Sequence, residues 1–146
     1  MWVVLNLAST LFMTGLIWFV QVVHYPLHGH VGVGNFVEYQ RLHMNWTSYV
    51  VVPPMLLELI SAFVLALYPP SNTPVWWWWS LFGLVIGIWM STFFLQAPTH
   101  GSLLQGWDSS LHKMLVSSNW IRTVLWSVRA TVLLYIIYVF IKNRNM

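Results

Sequence analysis

Long stretches without charge alternate along the chain with short polar ones, and the uncharged stretches have the length of membrane spans. Residues 2–23 and 75–95 carry no Asp, Glu, Lys or Arg; residues 46–68 carry only Glu58, and residues 120–141 only Arg122 and Arg129. A helix needs about 20 apolar residues to cross the hydrocarbon of a bilayer. The pattern therefore predicts an all-α membrane protein of one domain, a four-transmembrane-helix bundle with spans at about 2–23, 46–68, 75–95 and 120–141. Between the second and third spans stands only "PPSNTP", a tight turn. The stretch before the second span offers Asn35 as a helix N-cap with Glu38 at the capping-box position, and Trp76–Trp79 reads as an aromatic belt at the interface.

Composition agrees with this reading. The chain has 146 residues, of which 58% are hydrophobic and 6% charged, whereas a soluble domain carries about a quarter charged residues. Cysteine is absent, which removes disulfides, thiolate metal sites and cysteine nucleophiles. The net charge of +3 is too small and scattered for a nucleic-acid surface, and there is no G-x-G-x-x-G or phosphate-loop pattern for a nucleotide. "MWVVLNLASTLFMTG" has no basic n-region and no small-residue cleavage site, so it is expected to be a retained first span. With four spans both termini share a side. Lys142 and Arg144 follow the last span, while Arg41 and Lys113 are offset by Glu38 and Asp108; the positive-inside rule then expects both termini in the cytoplasm, across a bacterial inner membrane.

The chain also carries a repeat. "PLHGHVGVG" at 26–34 and "PTHGSLLQG" at 98–106 both read P-x-H-G-x-x-x-x-G, 72 positions apart, and Gly15 and Gly87 keep that offset. Each half is then expected to run through a polar lateral helix to an Asn-Trp pair, Asn45-Trp46 and Asn119-Trp120. Two tandem two-helix repeats, about 1–70 and 75–146, are expected, related by a pseudo-twofold axis along the membrane normal. Proline should stop each span, and glycine should turn the chain through a left-handed conformation, leaving His28 and His100 as symmetry mates at the rim.

On the first span Asn6, Thr10, Thr14, Ile17, Gln21, His24 and His28 follow one another at intervals of three or four, one helical face. Polar groups facing lipid are costly, so that face should point inward. The third span carries Ser80, Gly83, Gly87 and Ser91 at similar intervals, a small-residue seam for close helix packing. Glu58 lies about 18 Å along its helix from Trp46, and Arg129 lies within about 5 Å of the same depth. A lone charge there costs at least about 2.5 kcal/mol, so a buried Glu58–Arg129 ion pair is expected. The Pro53-Pro54 pair should free the carbonyls of Tyr49 and Val50.

The candidate binding site gathers His24, His28, His100 and His112 near the outer leaflet. Imidazoles without thiolates suit a transition metal such as Fe, Cu or Zn, or a haem iron. Arg122 would hold an anionic group beneath them, and Gln21 would orient a ligand histidine. His30 and His43 have no counterpart in the other half and are expected to be loop residues. Plain interfacial anchoring of the histidines, with Arg122 reaching to the headgroups, is the rival account.

The segments "MTGLIWFVQVVHYPL", "VVPPMLLEL", "QAPTHG" and "NWIRTVLWSVR" resemble a group of small, uncharacterised four-span bacterial membrane proteins, over nearly the whole chain. In size and in placing histidines at span ends the chain is distantly similar to anthrone-oxygenase-like proteins and to the small four-helix protoporphyrinogen oxidases, although no catalytic motif of either is matched. Three function classes follow: a membrane-embedded redox or oxygenase-type enzyme acting on a lipophilic substrate; a non-catalytic, cofactor-binding or structural subunit among the other subunits of a respiratory or photosynthetic complex; and a small transporter or proton-conducting bundle.

Overall fold

The computed structural model describes residues 1–71 and 73–144. The last two positions of the expected second repeat lie outside them, as does the Arg144 side chain that weighs in the charge rule. Among the described residues there are four long helices, each long and apolar enough to cross a membrane: α1 (Trp2–His28), α2 (Val33–Leu67), α3 (Val75–Gln105) and α4, which covers Ser109–Lys142 in its apolar part and continues to Arg144. In lipid every backbone polar group must find a partner within the protein, and a continuous helix provides it within its own segment. α1 and α3 each pack against both α2 and α4, so the helices form a four-membered ring. Leu11, Phe63, Ile86 and Val124 are among many large apolar side chains left exposed on its flanks, as a protein solvated by lipid requires.

The helices are longer than the spans read from the sequence. The polar stretches before Trp46 and Trp120 are not separate lateral helices but the first turns of α2 and α4. Asn35 does stand at the N-cap of the α-helical part of α2, Phe36–Leu67, but its side chain makes no capping bond, and Glu38 turns to Arg41, with Arg41 Nη2 2.7 Å from Glu38 Oε1. Asp108 caps α4, accepting from the backbone N–H of Ser110 at 2.7 Å and of Leu111 at 3.0 Å. Pro53 and Pro54 sit inside unbroken α2.

The P-x-H-G segments are not turns either. α1 continues through Pro26 to His28, and α3 through Pro98 and Gly101. Each proline stands two residues past the end of a π-helical turn, Val20–His24 in α1 and Thr92–Gln96 in α3. There the N–H of Tyr25 bonds to Val20 and that of Ala97 to Thr92. Such wide turns shift the carbonyl that a proline ring would strike, so the helix absorbs the proline without stopping. The two π-turns are 72 positions apart, the offset of the sequence repeat. Gly29 is right-handed, with φ −70°; its lack of a side chain matters because a Cβ there would lie 3.0 Å from His112 Cε1.

The chain reversal falls to Gly106, with φ 140° and ψ 175°, a region only glycine occupies comfortably. Gly106→Ala should therefore lower stability by about 1–3 kcal/mol, read as a lower midpoint of thermal unfolding in detergent. An unchanged midpoint would mean that the α3–α4 connection can re-form without that conformation.

Packing also revises two surface expectations. The buried face of α3 is Trp78, Leu81, Val85, Ile88 and Ser91, while Ser80 and Gly83 are exposed. Of the small-residue seam, Gly87 approaches Leu125 of α4 and Ser91 bonds to Gln96. Four consecutive helical residues cannot share one face, so Trp76 and Trp79 face outward while Trp78 enters the core and donates to Thr73 Oγ1 at 2.9 Å.

Three apolar layers stack along the bundle. Leu65, Trp78, Leu81 and Leu133 form the layer towards the termini, Met13, Ile17, Met55, Ile88 and Trp126 the middle one, and Tyr25, Phe36, Leu103 and Leu115 the far one. Val3, Pro70 and Phe140 line one cavity, so the start of α1, the end of α2 and the end of α4 meet at one end, and the histidines occupy the other.

Candidate functional site

At mid-depth Glu58 and Arg129 meet in a fully enclosed network. Arg129 Nε lies 2.9 Å from Glu58 Oε1. The same oxygen accepts from Thr10 Oγ1 at 2.8 Å, and Oε2 accepts from the Trp126 indole at 2.9 Å. Arg129 donates its remaining nitrogens to the Leu81 carbonyl and to Asn6 Oδ1, both at 2.8 Å. Asn6 completes the set by donating to Ser61 Oγ at 2.8 Å. Asn6 and Thr10 come from the polar face of α1, which does point into the bundle. Every polar atom of the pair is used, so this is a sealed structural core.

The histidine end is assembled by all four helices: His24 and His28 come from α1, His43 from α2, His100 from α3 and His112 from α4. Ring centroids lie 4.6 Å apart for His24 and His43, 5.7 Å for His28 and His43, 5.2 Å for His43 and His100, and 5.5 Å for His28 and His112. Five imidazoles are thus in contact, including His43, expected as a loop residue and in fact carried by the first turns of α2. His30 is exposed and apart.

Gln40, one turn before His43 on α2, sets their hydrogen bonding. Its Nε2 donates to the backbone carbonyl of His100 at 2.9 Å, which fixes the orientation of the carboxamide. The same Nε2 lies 3.0 Å from His100 Nδ1, so that nitrogen accepts. Gln40 Oε1 then accepts from His28 Nε2 at 2.8 Å. The repeat mates His28 and His100 are therefore joined by one side chain. His100 carries its proton on Nε2 and gives it to the Tyr25 hydroxyl at 3.1 Å. His28 keeps a bare Nδ1, and it is the one buried side-chain nitrogen or oxygen among the described residues without a partner.

Two expected roles change. Gln21 does not orient a histidine. Its π-turn directs it to α4, where Oε1 accepts from Asn119 at 2.7 Å and Nε2 donates to the Val116 carbonyl at 3.2 Å. His112 spends Nε2 as a donor to the Tyr25 carbonyl at 2.9 Å, so it braces α1 against α4. Metal ligation asks for several donors around one point, and among the described residues no three His, Asp or Glu side chains take that arrangement. Two nitrogens do stand close: His24 Nε2 and His43 Nδ1 are 3.1 Å apart, with Thr47 Oγ1 3.1 Å from the latter.

Beside the histidines opens a cavity of about 300 Å³, at the lower end of small-molecule pockets. Met13, Ile17 and Met55 form its apolar floor, and His43, His100, Tyr25 and Arg122 its polar end. Ser48 and Val52 of α2 and Phe93 and Ala97 of α3 line it and are exposed, so it opens sideways between α2 and α3, onto the flank that faces lipid. Trp126 joins it to the core below, since the indole that lines the cavity is the one bonded to Glu58.

Tyr25, Gln40 and His43 were missed from the sequence. Gln40, His43, Thr47, Val51, Met55 and Glu58 are three or four residues apart, one helical face, and extending the second span backwards by two turns reveals it. The chain matches no protein-family model, no curated protein and no solved structure.

Proposed function

We propose that this integral membrane protein is an oxidoreductase of the oxygenase kind, in which a lipophilic substrate enters the lateral cleft between α2 and α3 and reacts at a metal ion held by the histidines, with dioxygen as the oxidant. Both termini lie on the cytoplasmic side of a bacterial inner membrane in this reading, on the strength of Lys142 and Arg144. The observation that carries it is the cleft, which leads from exposed side chains of α2 and α3 to His43, His100, Tyr25 and Arg122.

The donor set fits an ion of the first transition row, since imidazole suits Fe, Cu, Zn and Ni. Metal–nitrogen bonds of about 2.0–2.1 Å put two ligands of a tetrahedral ion roughly 3.3 Å apart, near the 3.1 Å between His24 and His43. His28, with its free Nδ1 and its ring 6.1 Å from that of His24, would be the third donor, although it would have to turn away from Gln40 to join the other two. Such an ion would supply the binding and activation of dioxygen. A bare ion is favoured over haem because the rings are packed on one another and Gln40 bridges His28 to His100, which leaves no slot for a macrocycle. The chain's own part is to exclude water with the Met13, Ile17 and Met55 walls and to orient the polar end of the substrate with Tyr25 and Arg122.

A cofactor-binding subunit of a larger complex would use the same histidines but has no need of a cleft open to lipid. A transporter or proton path is less well supported, because the Glu58–Arg129 network fills the bundle axis and satisfies every group in it.

Metal titration tests the reading. Purified protein in nanodiscs should bind one Co(II) with the visible absorption of imidazole ligation, and His24→Ala with His43→Ala should abolish that spectrum while leaving the bundle folded. Protein that carries no stoichiometric metal as isolated and takes up no Co(II) would overturn the metal centre.

A further inference from the structure

Of the two arginines buried among the described residues, only one is paired with a carboxylate of those residues. Arg129 is paired with Glu58; Glu38 is paired with Arg41 at the surface, and Asp108 caps α4. Arg122 is 8% exposed, and its partners among the described residues are neutral oxygens. Nε donates to Asn119 Oδ1 at 2.9 Å and Nη2 donates to the same atom; Nη2 also reaches the Tyr25 hydroxyl at 3.4 Å, and Nη1 reaches Thr92 Oγ1 only at 3.5 Å. A guanidinium cannot shed its proton and offers five N–H donors. The two on Nη1 thus share one long contact. Removing such a charge from water without a counter-ion is strongly unfavourable, and here the charge borders a cleft.

Tyr25 points to the same need. Its oxygen receives N–H donors from His100 and from Arg122, and a phenol is neutral at physiological pH. Its own O–H proton remains to be donated. Arg122 Nη1 and the Tyr25 hydroxyl therefore present donors and a positive charge at the polar end of a cavity whose floor is apolar.

Building on the lateral cleft of the preceding section, we propose that it takes an anionic amphiphile, a single-chain lipophilic carboxylate, whose head accepts from Arg122 Nη1 and the Tyr25 hydroxyl and whose chain lies over Met13, Ile17 and Met55 and leaves between α2 and α3. Charge-assisted hydrogen bonds to a carboxylate are roughly twice as strong as neutral ones. They also supply the counter-ion that Arg122 lacks among the described residues. A cavity of about 300 Å³ suits one chain rather than the two of a phospholipid, although a phosphate head would satisfy the same donors.

Native mass spectrometry from a neutral detergent measures this with defined probes: palmitate, hexadecanol and phosphatidylglycerol, each titrated into the full-length protein. Palmitate should form a 1:1 adduct at least tenfold more tightly than hexadecanol. Arg122→Gln should erase that preference and Arg122→Lys should keep part of it, with folding of each variant checked by thermal unfolding. Equal binding of palmitate and hexadecanol by the wild-type protein, a comparison that needs no variant, would overturn the carboxylate while leaving the cleft as a lipophile site. Binding of neither would overturn the cleft as well. Displacement of palmitate by equimolar phosphatidylglycerol would overturn the single-chain carboxylate in favour of a lipid headgroup.

Discussion

Glu58→Gln will cost the bundle about 3–5 kcal/mol, the loss typical of removing one partner from a buried ion pair. Arg129 keeps its bonds to the Leu81 carbonyl and to Asn6, so what it loses is the counter-ion. A carboxamide cannot replace the carboxylate in hydrogen bonding either. Oε1 of Glu58 accepts two donors and Oε2 a third, and whichever way the amide turns, its NH2 meets an N–H or O–H already pointing at it. Thermal unfolding in detergent, followed by tryptophan fluorescence, reads the effect directly. A midpoint equal to that of the wild-type protein would show that the pair contributes nothing net.

Replacing both partners, Glu58→Leu with Arg129→Met, should land between the wild-type protein and the single variant. Removing both charges removes the cost of burying them. The Trp126 indole and Asn6 Oδ1 lose their partners in exchange, and an orphaned buried polar group costs about 1–3 kcal/mol. Thr10 loses less, because its hydroxyl can turn to its own helix. A double variant no more stable than Glu58→Gln would mean that the hydrogen bonds, and not the desolvated charge, dominate.

The pair was legible because charge is rare in this chain, and two opposite charges at one depth of a bilayer have few alternatives to each other. The four spans were legible for the same reason. What the sequence hides is helix continuity. Pro26 and Pro98 read as stops because proline removes a donor and crowds the preceding turn, and nothing in "VQVVH" or "TFFLQ" announces the π-turns that relieve that crowding. Starting the second span at Trp46 had a larger consequence, since it left Gln40 and His43 outside the bundle and left Gln21, on the face of His24 and His28, to be paired with a histidine. Tyr25 went unnoticed because an aromatic residue near a span end is ordinary in membrane proteins.

The repeat, read beside the structure, separates what the halves share from what each has made its own. The π-turns end at His24 and Gln96, and both side chains reach the helix that follows: His24 lies 3.1 Å from His43, and Gln96 donates to Ser118 Oγ at 3.1 Å. The polar bond between consecutive helices is present in both halves, but only the first makes it with two imidazoles. The Asn-Trp pairs part in the same way. Asn45 is exposed, whereas Asn119 is buried and holds Gln21 and Arg122. One half thus supplies the nitrogen donors and the other the buried cation, and the cleft lies between them.

Gln40 is the side chain on which that division depends, and Gln40→Leu should cost about 2–6 kcal/mol, from two buried polar groups at about 1–3 kcal/mol each. Leucine fills similar space, so the loss measures hydrogen bonds more than packing. His28 Nε2 loses its acceptor and the His100 carbonyl its donor. His100 Nδ1 loses the donor that holds the proton on Nε2, where it faces Tyr25. The variant should therefore both unfold at lower temperature and let the His100 proton distribute over its two nitrogens, which 15N spectra of histidine-labelled protein resolve. In the wild-type protein those spectra should show a neutral His100 protonated at Nε2 and a neutral His28 protonated at Nε2 with a free Nδ1. A His100 protonated at Nδ1 would mean that Gln40 sits the other way round, and the bare His28 nitrogen offered to a metal would then have no basis.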